Sequence, residues 1–177
     1  MRIIAIDPGY ERLGIAVLEK LPKKKEGLLY SACVRTLKTL PHARRLLDIT
    51  TEVRKVIDTF KPEAFAIETL FLASNQKTVM PVAEARGALL VEAARAGLPV
   101  YEYTPLQIKI AVTGYGRSEK RQVTEMVKRL IVIPSGEKSL PLGDSGTPFT
   151  KGRIHLDDEY DAIAVGLTCL ATIRTTN

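Results

Sequence analysis

The chain has 177 residues, 45% of them hydrophobic and 26% charged, with 26 Lys plus Arg against 20 Asp plus Glu and a net charge of +6. That content suits one globular domain with a sizeable core, and no apolar run approaches the roughly 20 residues of a membrane span. The basic balance favours a polyanionic partner without proving one, and the two cysteines, Cys33 and Cys169, show no metal-ligand spacing, so they read as packing thiols of a reducing, cytoplasmic compartment rather than zinc ligands.

Residues 3–6, Ile-Ile-Ala-Ile, form an apolar β-prone run that ends on Asp7 and turns at Pro8-Gly9. Ile3 and Ala5 share a face with Asp7 while Ile4 and Ile6 cover the other, so both faces look buried and the strand central. A buried carboxylate needs hydrogen bonds, a cation or a metal. An Asx-turn explains Asp-Pro-Gly equally well when the tripeptide is taken alone. Residues 13–18 are a second strand, 21–27 a charged turn and 28–36 a third strand, which makes an antiparallel meander. The lysines at 23–25 read as a solvated hairpin tip.

Pro41 opens a helix whose apolar positions Leu46, Ile49, Val53, Val56, Ile57 and Phe60 recur at three and four, and Lys61-Pro62 ends it. Residues 64–68 are a strand that again terminates in an acid, Glu68. Residues 77–96 form a long helix with Val79, Val82, Ala83, Arg86, Leu89, Leu90 and Ala93 along one side, and with the small residues Ala83, Gly87 and Ala94 allowing close packing. Gly97 stops it before a fifth strand at 98–103. Thr104 as N-cap and Pro105 in the first turn start a helix over 106–112. After Gly114-Tyr115-Gly116 a further helix runs from Ser118 to about Ile131. It puts Lys120 and Arg121 in its first turn, where the helix dipole disfavours cations, a placement that suggests phosphate contacts. Glu119 and Glu125 could equally offset them on a solvated face. Residues 134–156 carry no periodicity and read as a mobile, exposed insertion. The last helix covers 157 to about 174.

That helix begins with Asp157, Asp158, Glu159 and Asp161, of which Asp158 and Asp161 share a face. First-turn acids are ordinarily caps. With Asp7 and Glu68 at strand ends, however, they give an α/β domain several carboxylates able to converge, and converging carboxylates repel unless a divalent cation neutralises them. Oxygen-only ligands point to Mg²⁺ or Mn²⁺, and a two-ion site of this kind hydrolyses phosphodiesters.

Four stretches then resemble one family: Ile6-Asp7-Pro8-Gly9; Ala66-Ile67-Glu68 with Phe71 and Asn75; Glu84-Ala85-Arg86-Gly87; and Asp158-Glu159-Tyr160-Asp161-Ala162-Ile163-Ala164. So does the span from Gln107-Ile108-Lys109 to Ser118-Glu119-Lys120-Arg121-Gln122-Val123. The chain resembles the RuvC family of Holliday junction resolvases. The resemblance implies a ribonuclease H-like fold, a five-stranded mixed sheet flanked by helices, in a single domain. It implies that Asp7, Glu68, Asp158 and Asp161 are catalytic, metal-binding acids holding two Mg²⁺ ions, with Mn²⁺ able to substitute. It implies that Lys109 and Lys120 contact phosphates of the scissile strand, with Arg121 beside them, and that Phe71 stacks near the crossover of four-way junction DNA. It also implies a homodimer through the helix around Arg86, and the branch-migration proteins RuvA and RuvB as partners.

The chain departs from the family in two places. Residues 134–156 are longer than the usual link, and Glu159 and Tyr160 replace small residues between the last two acids, where Asp157 offers a rival register. Other readings are a ribonuclease H-like nuclease acting on a different nucleic acid, or a non-catalytic junction-binding module that would have no need of four placed acids.

Overall fold

The computed structural model of the chain describes residues 1–20, 25–70, 76–132 and 157–173, and at 76–78 the backbone only. Strands β1 (Arg2–Asp7), β2 (Arg12–Glu19) and β3 (Glu26–Arg35) form the antiparallel meander. Helix α1 (His42–Phe60), strand β4 (Ala64–Glu68), helix α2 (Gln76–Arg95) and strand β5 (Val100–Tyr103) follow. Helices α3 (Pro105–Thr113) and α4 (Lys120–Leu130), strand β6 (Ile131–Val132) and helix α5 (Asp157–Thr172) complete the order.

The sheet runs β5-β4-β1-β2-β3-β6, with β4 parallel to β1 and β5, and β6 parallel to β3. It is mixed, as expected, but has six strands rather than five. The sixth is two residues long, too short to carry a period. The α4 helix stops at Leu130 because Ile131 turns extended (φ −94°, ψ 153°), and Ile131 and Val132 then pair with Glu26 and Gly27 on the free edge of β3. Strand β1 lies between β2 and β4, which is why both of its faces are apolar.

The two faces of the sheet hold separate cores. Ile4, Ile6, Leu13, Ile15, Val17, Phe65 and Ile67 point to one side and meet Ile49, Val53 and Val56 of α1 and Ala85, Leu89 and Ala93 of α2. Ile3, Ala5, Ala16, Leu18, Ala64 and Ala66 point to the other and meet α5, with Ile108 and Val112 of α3 and Val123 and Val127 of α4 behind it. On this second face the fit is close. A Cβ added at Gly166 of α5 would lie 2.4 Å from Leu18 Cδ1 and 3.1 Å from Ala5 Cβ. Only a glycine lets the helix axis come so near the strands.

Local signals account for the helix ends. Lys61 closes α1 in the left-handed conformation at φ 47°, its N–H donating to Ile57 O. Thr104 caps α3 as expected, and Gln107 completes a capping box by accepting from the Thr104 N–H. In α2 the stripe that reads as a docking face is split. Leu89, Ala85 and Ala93 are fully buried within this chain, whereas Gly87 faces open space and Val91 is 50% exposed. Among the described residues no helix is long and apolar enough to cross a membrane. The insertion expected at 134–156 lies outside the described residues.

Candidate active site

Asp7 and Glu68 come from the C-terminal ends of the parallel neighbours β1 and β4, and Asp158 and Asp161 from the first turns of α5. The helix start reaches the strands because β2 offers no side chain at the crossing. Gly14 is the partner of Asp7 in the β1–β2 ladder, and a Cβ there would sit 2.2 Å from the Asp158 carbonyl oxygen and 3.1 Å from Asp7 Cβ.

The electrostatics show how close these acids are. Burial pushes the Asp7 carboxyl well above the usual range, and repulsion from Glu68, Asp161 and Asp158 adds to it. Glu68 is pushed up to about 7 by burial and then by Asp161. Asp161 is also raised, by burial first, against the opposing pull of Lys120. A neutral group buried there would face no such conflict, so the site is built to hold more negative charge than the protein alone neutralises.

Two cations answer part of that charge. Lys120 Nζ lies 2.8 Å from Asp161 Oδ2 and 3.9 Å from Asp157 Oδ2. Arg12 pairs with Asp158 Oδ2, and the Cys33 thiol lies 3.5 Å from the same oxygen. Lys109 of α3 and Lys120 of α4 line one cleft with Glu68, Asp161, Pro105 and Ile108. Arg121 is exposed on α4, next to Lys120 but outside that cleft. Phe71 and Asn75 lie outside the described residues.

The register at the start of α5 follows from burial. The Asp157 side chain is 74% exposed and that of Asp158 18%, so Asp158 is the one turned toward Asp7. Glu159 points into the sheet, where it accepts from Ser31 Oγ of β3 at 2.6 Å. The hydroxyl offsets part of the cost of burying it. Tyr160 packs toward Lys128, whose Nζ is 5.5 Å from the ring centroid.

Sequence reasoning missed Arg12, Ser31 and the Cys33 contact. A signal for Arg12 was present, since in a period-2 strand Arg12 shares a face with Gly14, which pairs with Asp7. Ser31 and Cys33 gave none, as their roles depend on where α5 lands.

The donor set suits a hard divalent ion: carboxylate oxygens that repel one another and are raised by burial. As the side chains stand, among the described residues no three acids group tightly enough to grip one centre. Arg12 and Lys120 hold oxygens of Asp158 and Asp161. The chemistry of the donors fits the ion, and the two cations now occupy oxygens that would hold it.

Residues 3–145 match the family described as "Crossover junction endodeoxyribonuclease RuvC". Among curated proteins of that description, one from Moorella thermoacetica is 39% identical over 167 residues, covering 94% of this chain and 89% of its own length. One from Thermosipho melanesiensis is 44% identical over 131 residues, covering 74% and 83%. The Thermus thermophilus RuvC structure in complex with Holliday junction substrate superposes with a TM-score of 0.76 at 33% identity, over 95% of this chain and 92% of that one. A yeast mitochondrial Holliday junction resolvase, Ydc2, shares the fold at 12% identity with a TM-score of 0.65. With a strand-end and helix-start cluster of acids on a mixed sheet, and with relatives of this identity along most of its length, the chain belongs to the RuvC family of crossover junction endodeoxyribonucleases.

Proposed function

We propose that this protein is an endodeoxyribonuclease that resolves four-way DNA junctions by hydrolysing a phosphodiester in each of two opposed strands. The observation that carries the reading is the meeting, in one cleft, of mutually repelling carboxylates with Lys109 and Lys120. Membership of the family and the junction bound to the Thermus relative support four-way DNA as the substrate.

Asp7, Glu68, Asp158 and Asp161 would hold the divalent ions, Mg²⁺ by preference with Mn²⁺ able to substitute, two to a site. Bound there, the metal supplies Lewis acidity to the scissile phosphate and lowers the pKa of the attacking water. The protein's own groups do the rest. Lys120, freed from Asp161, and Lys109 across the cleft neutralise the phosphate oxygens and hold the strand against the acids. Arg12, freed from Asp158, keeps a cation at the far rim. Arg121 adds a phosphate contact just outside, and Phe71 follows Glu68 closely enough in sequence to reach a base at the crossover.

Paired cutting needs two sites at fixed separation, which a two-fold homodimer supplies. The outward face of α2, with Gly87, Ala94 and Val91, suits that contact better than its buried Leu89 side. A single ribonuclease H-like domain spanning 1–177, a cytoplasmic setting and the branch-migration proteins RuvA and RuvB as partners belong to the same reading. A labelled four-way junction beside a matched duplex, each with and without Mg²⁺, tests it. Junction cleavage only with metal is expected; cleavage of both substrates alike, or undiminished cleavage in excess EDTA, overturns it.

A further inference from the structure

The turn between α3 and α4 presents an aromatic ring on an unusually well-braced backbone. Tyr115 is 60% exposed. Its carbonyl oxygen accepts from Ser118 Oγ at 2.7 Å and from the Ser118 N–H at 3.2 Å, while the Thr113 hydroxyl, 3.1 Å away, lies nearer the Lys109 carbonyl oxygen at 2.8 Å. Its own N–H donates to Thr113 Oγ1 at 3.1 Å, and the two hydroxyls, Thr113 Oγ1 and Ser118 Oγ, lie 2.7 Å apart. Gly114 makes the turn at φ 77°, a left-handed conformation that a side chain would strain. A Cβ at Gly116 would press within 2.5 Å of Leu106 Cδ1. The backbone is fixed on both sides while the ring is left in solvent.

Such an arrangement is poor economy for a packing residue and good preorganisation for a binding one, since the ring's position costs no further backbone ordering on contact. Its surroundings say what would bind. Leu106 and Ile110, 57% and 50% exposed, extend the apolar surface behind Gly116. A groove runs from Tyr115 along α4 past Arg121 and Arg129, with Glu119 and Glu125 also on its walls. Arg117, Arg121 and Arg129 are exposed and enter no ion pair with another described residue, whereas Glu125 is already paired with Lys128. The same two helices carry Lys109 and Lys120 into the cleft of the acids, so the groove continues the surface assigned to DNA.

We infer that Tyr115 is a second base-stacking site, which takes an unpaired nucleobase of the junction on its ring while Arg117, Arg121 and Arg129 meet the phosphates that flank it. A flat apolar face beside unpaired arginines is the combination that grips exposed bases of DNA without reading their sequence. The inference rests on the junction-binding reading above and adds a contact that the acids do not supply. Its place on the α3–α4 turn, outside the cleft, makes it a determinant of how a junction arm is held rather than of the chemistry.

The chain contains no tryptophan, so Tyr115→Trp introduces a single reporter at the position in question. In EDTA, where no strand is cut, a four-way junction with an unpaired base near the crossover should quench the emission of this variant and shield it from acrylamide. A blunt duplex of the same arms should do neither. Tyr115→Ala should weaken junction binding about five- to tenfold with the melting temperature and the salt slope unchanged, and Tyr115→Phe should bind as the unaltered protein does. Emission indifferent to the junction, or Tyr115→Ala binding at full strength, overturns the inference. So does equal shielding by the blunt duplex, which would put the ring on the sugar-phosphate backbone. Failure of the unaltered protein to bind any junction would instead remove the reading on which the inference rests, and the two failures are told apart by that first measurement.

Discussion

The two faces of the sheet are packed on different plans. On the α1–α2 side the strands present Ile4, Ile6, Leu13, Ile15, Phe65 and Ile67, large side chains that fill a conventional layer between sheet and helices. On the α5 side they present Ala5, Ala16, Ala64 and Ala66 beside Ile3 and Leu18, and α5 answers with Ala162, Ala164 and Gly166 between larger residues such as Ile163 and Leu167. Bulk stabilises, since each buried large side chain removes more apolar area from water. Smallness brings backbones together instead. The face with the smaller residues is the one on which Asp158 and Asp161 reach Asp7 and Glu68. Close approach of the backbones on that face crowds carboxylates that repel one another.

The largest effect expected is at the acids themselves. Asp7→Asn should lower junction cleavage by about 10³-fold while binding persists, because under the proposed function it takes a carboxylate from the metal-holding set and leaves the lysines in place. The same substitution should raise the melting temperature of the metal-free protein, since Asp7 is held uncomfortably as an anion. Loss of both binding and stability would mean that Asp7 is a structural turn residue.

On the opposite face, Leu89→Ala should cost about 2–5 kcal/mol of stability by leaving a cavity among fully buried neighbours, with cleavage per folded molecule unchanged. Chemical denaturation beside single-turnover cleavage measures both. A charge at Leu89 tests the fold, not the dimer, because the side chain is 0% exposed within one chain.

The acids should also set a pH dependence of stability opposite to the common one. Glu68 sits at about 7 in the folded protein against an ordinary 4.5, and Asp7 is raised as well, so the folded state binds more protons than the unfolded state between these values. Stability of the metal-free protein should therefore fall as pH rises from about 4.5 to 7, by roughly 1–3 kcal/mol in all. Mg²⁺ should flatten the decline, and Glu68→Gln should reduce it while leaving the part that the buried Asp7 contributes. Melting temperatures in EDTA at pH 5 and pH 8 check the sign.

A smaller loss is expected from Gly14→Ala. Its Cβ would meet the Asp158 carbonyl oxygen at 2.2 Å, so the start of α5 must move. The cost in stability should be about 1–3 kcal/mol, with a fall in cleavage larger than the fall in folded protein explains. The least dramatic change belongs to Lys120→Ala, which should reduce the slope of log affinity against log salt by about 0.9 and leave the fold intact.

The order of the elements was legible in the chain because each announces itself locally. The Ile3–Ile6 run ends in an acid, α1 recurs at three and four until Lys61-Pro62, and Thr104-Pro105 starts α3. The outlying strand β6 was not legible, since two residues have no period, and it exists only because β3 leaves a free edge. Within α2, periodicity found an apolar side but not its partner. Only the packed fold shows that Leu89 faces α1 while Gly87 faces outward.

At the site, the sequence by itself determined the residue types. It supplied four acids at element ends, lysines and arginine downstream, and a pattern of motifs that belongs to one family. What the tertiary structure decided is proximity. Asp158 rather than Asp157 turns inward because α5 meets the sheet at Gly14. Glu159 is buried where Ser31 lies opposite it, and Arg12 faces Asp158 because a strand alternates its side chains. Residue types and local periods are written along the chain. Distances between residues more than a hundred positions apart depend on how closely two backbones pack, and only the folded core sets that.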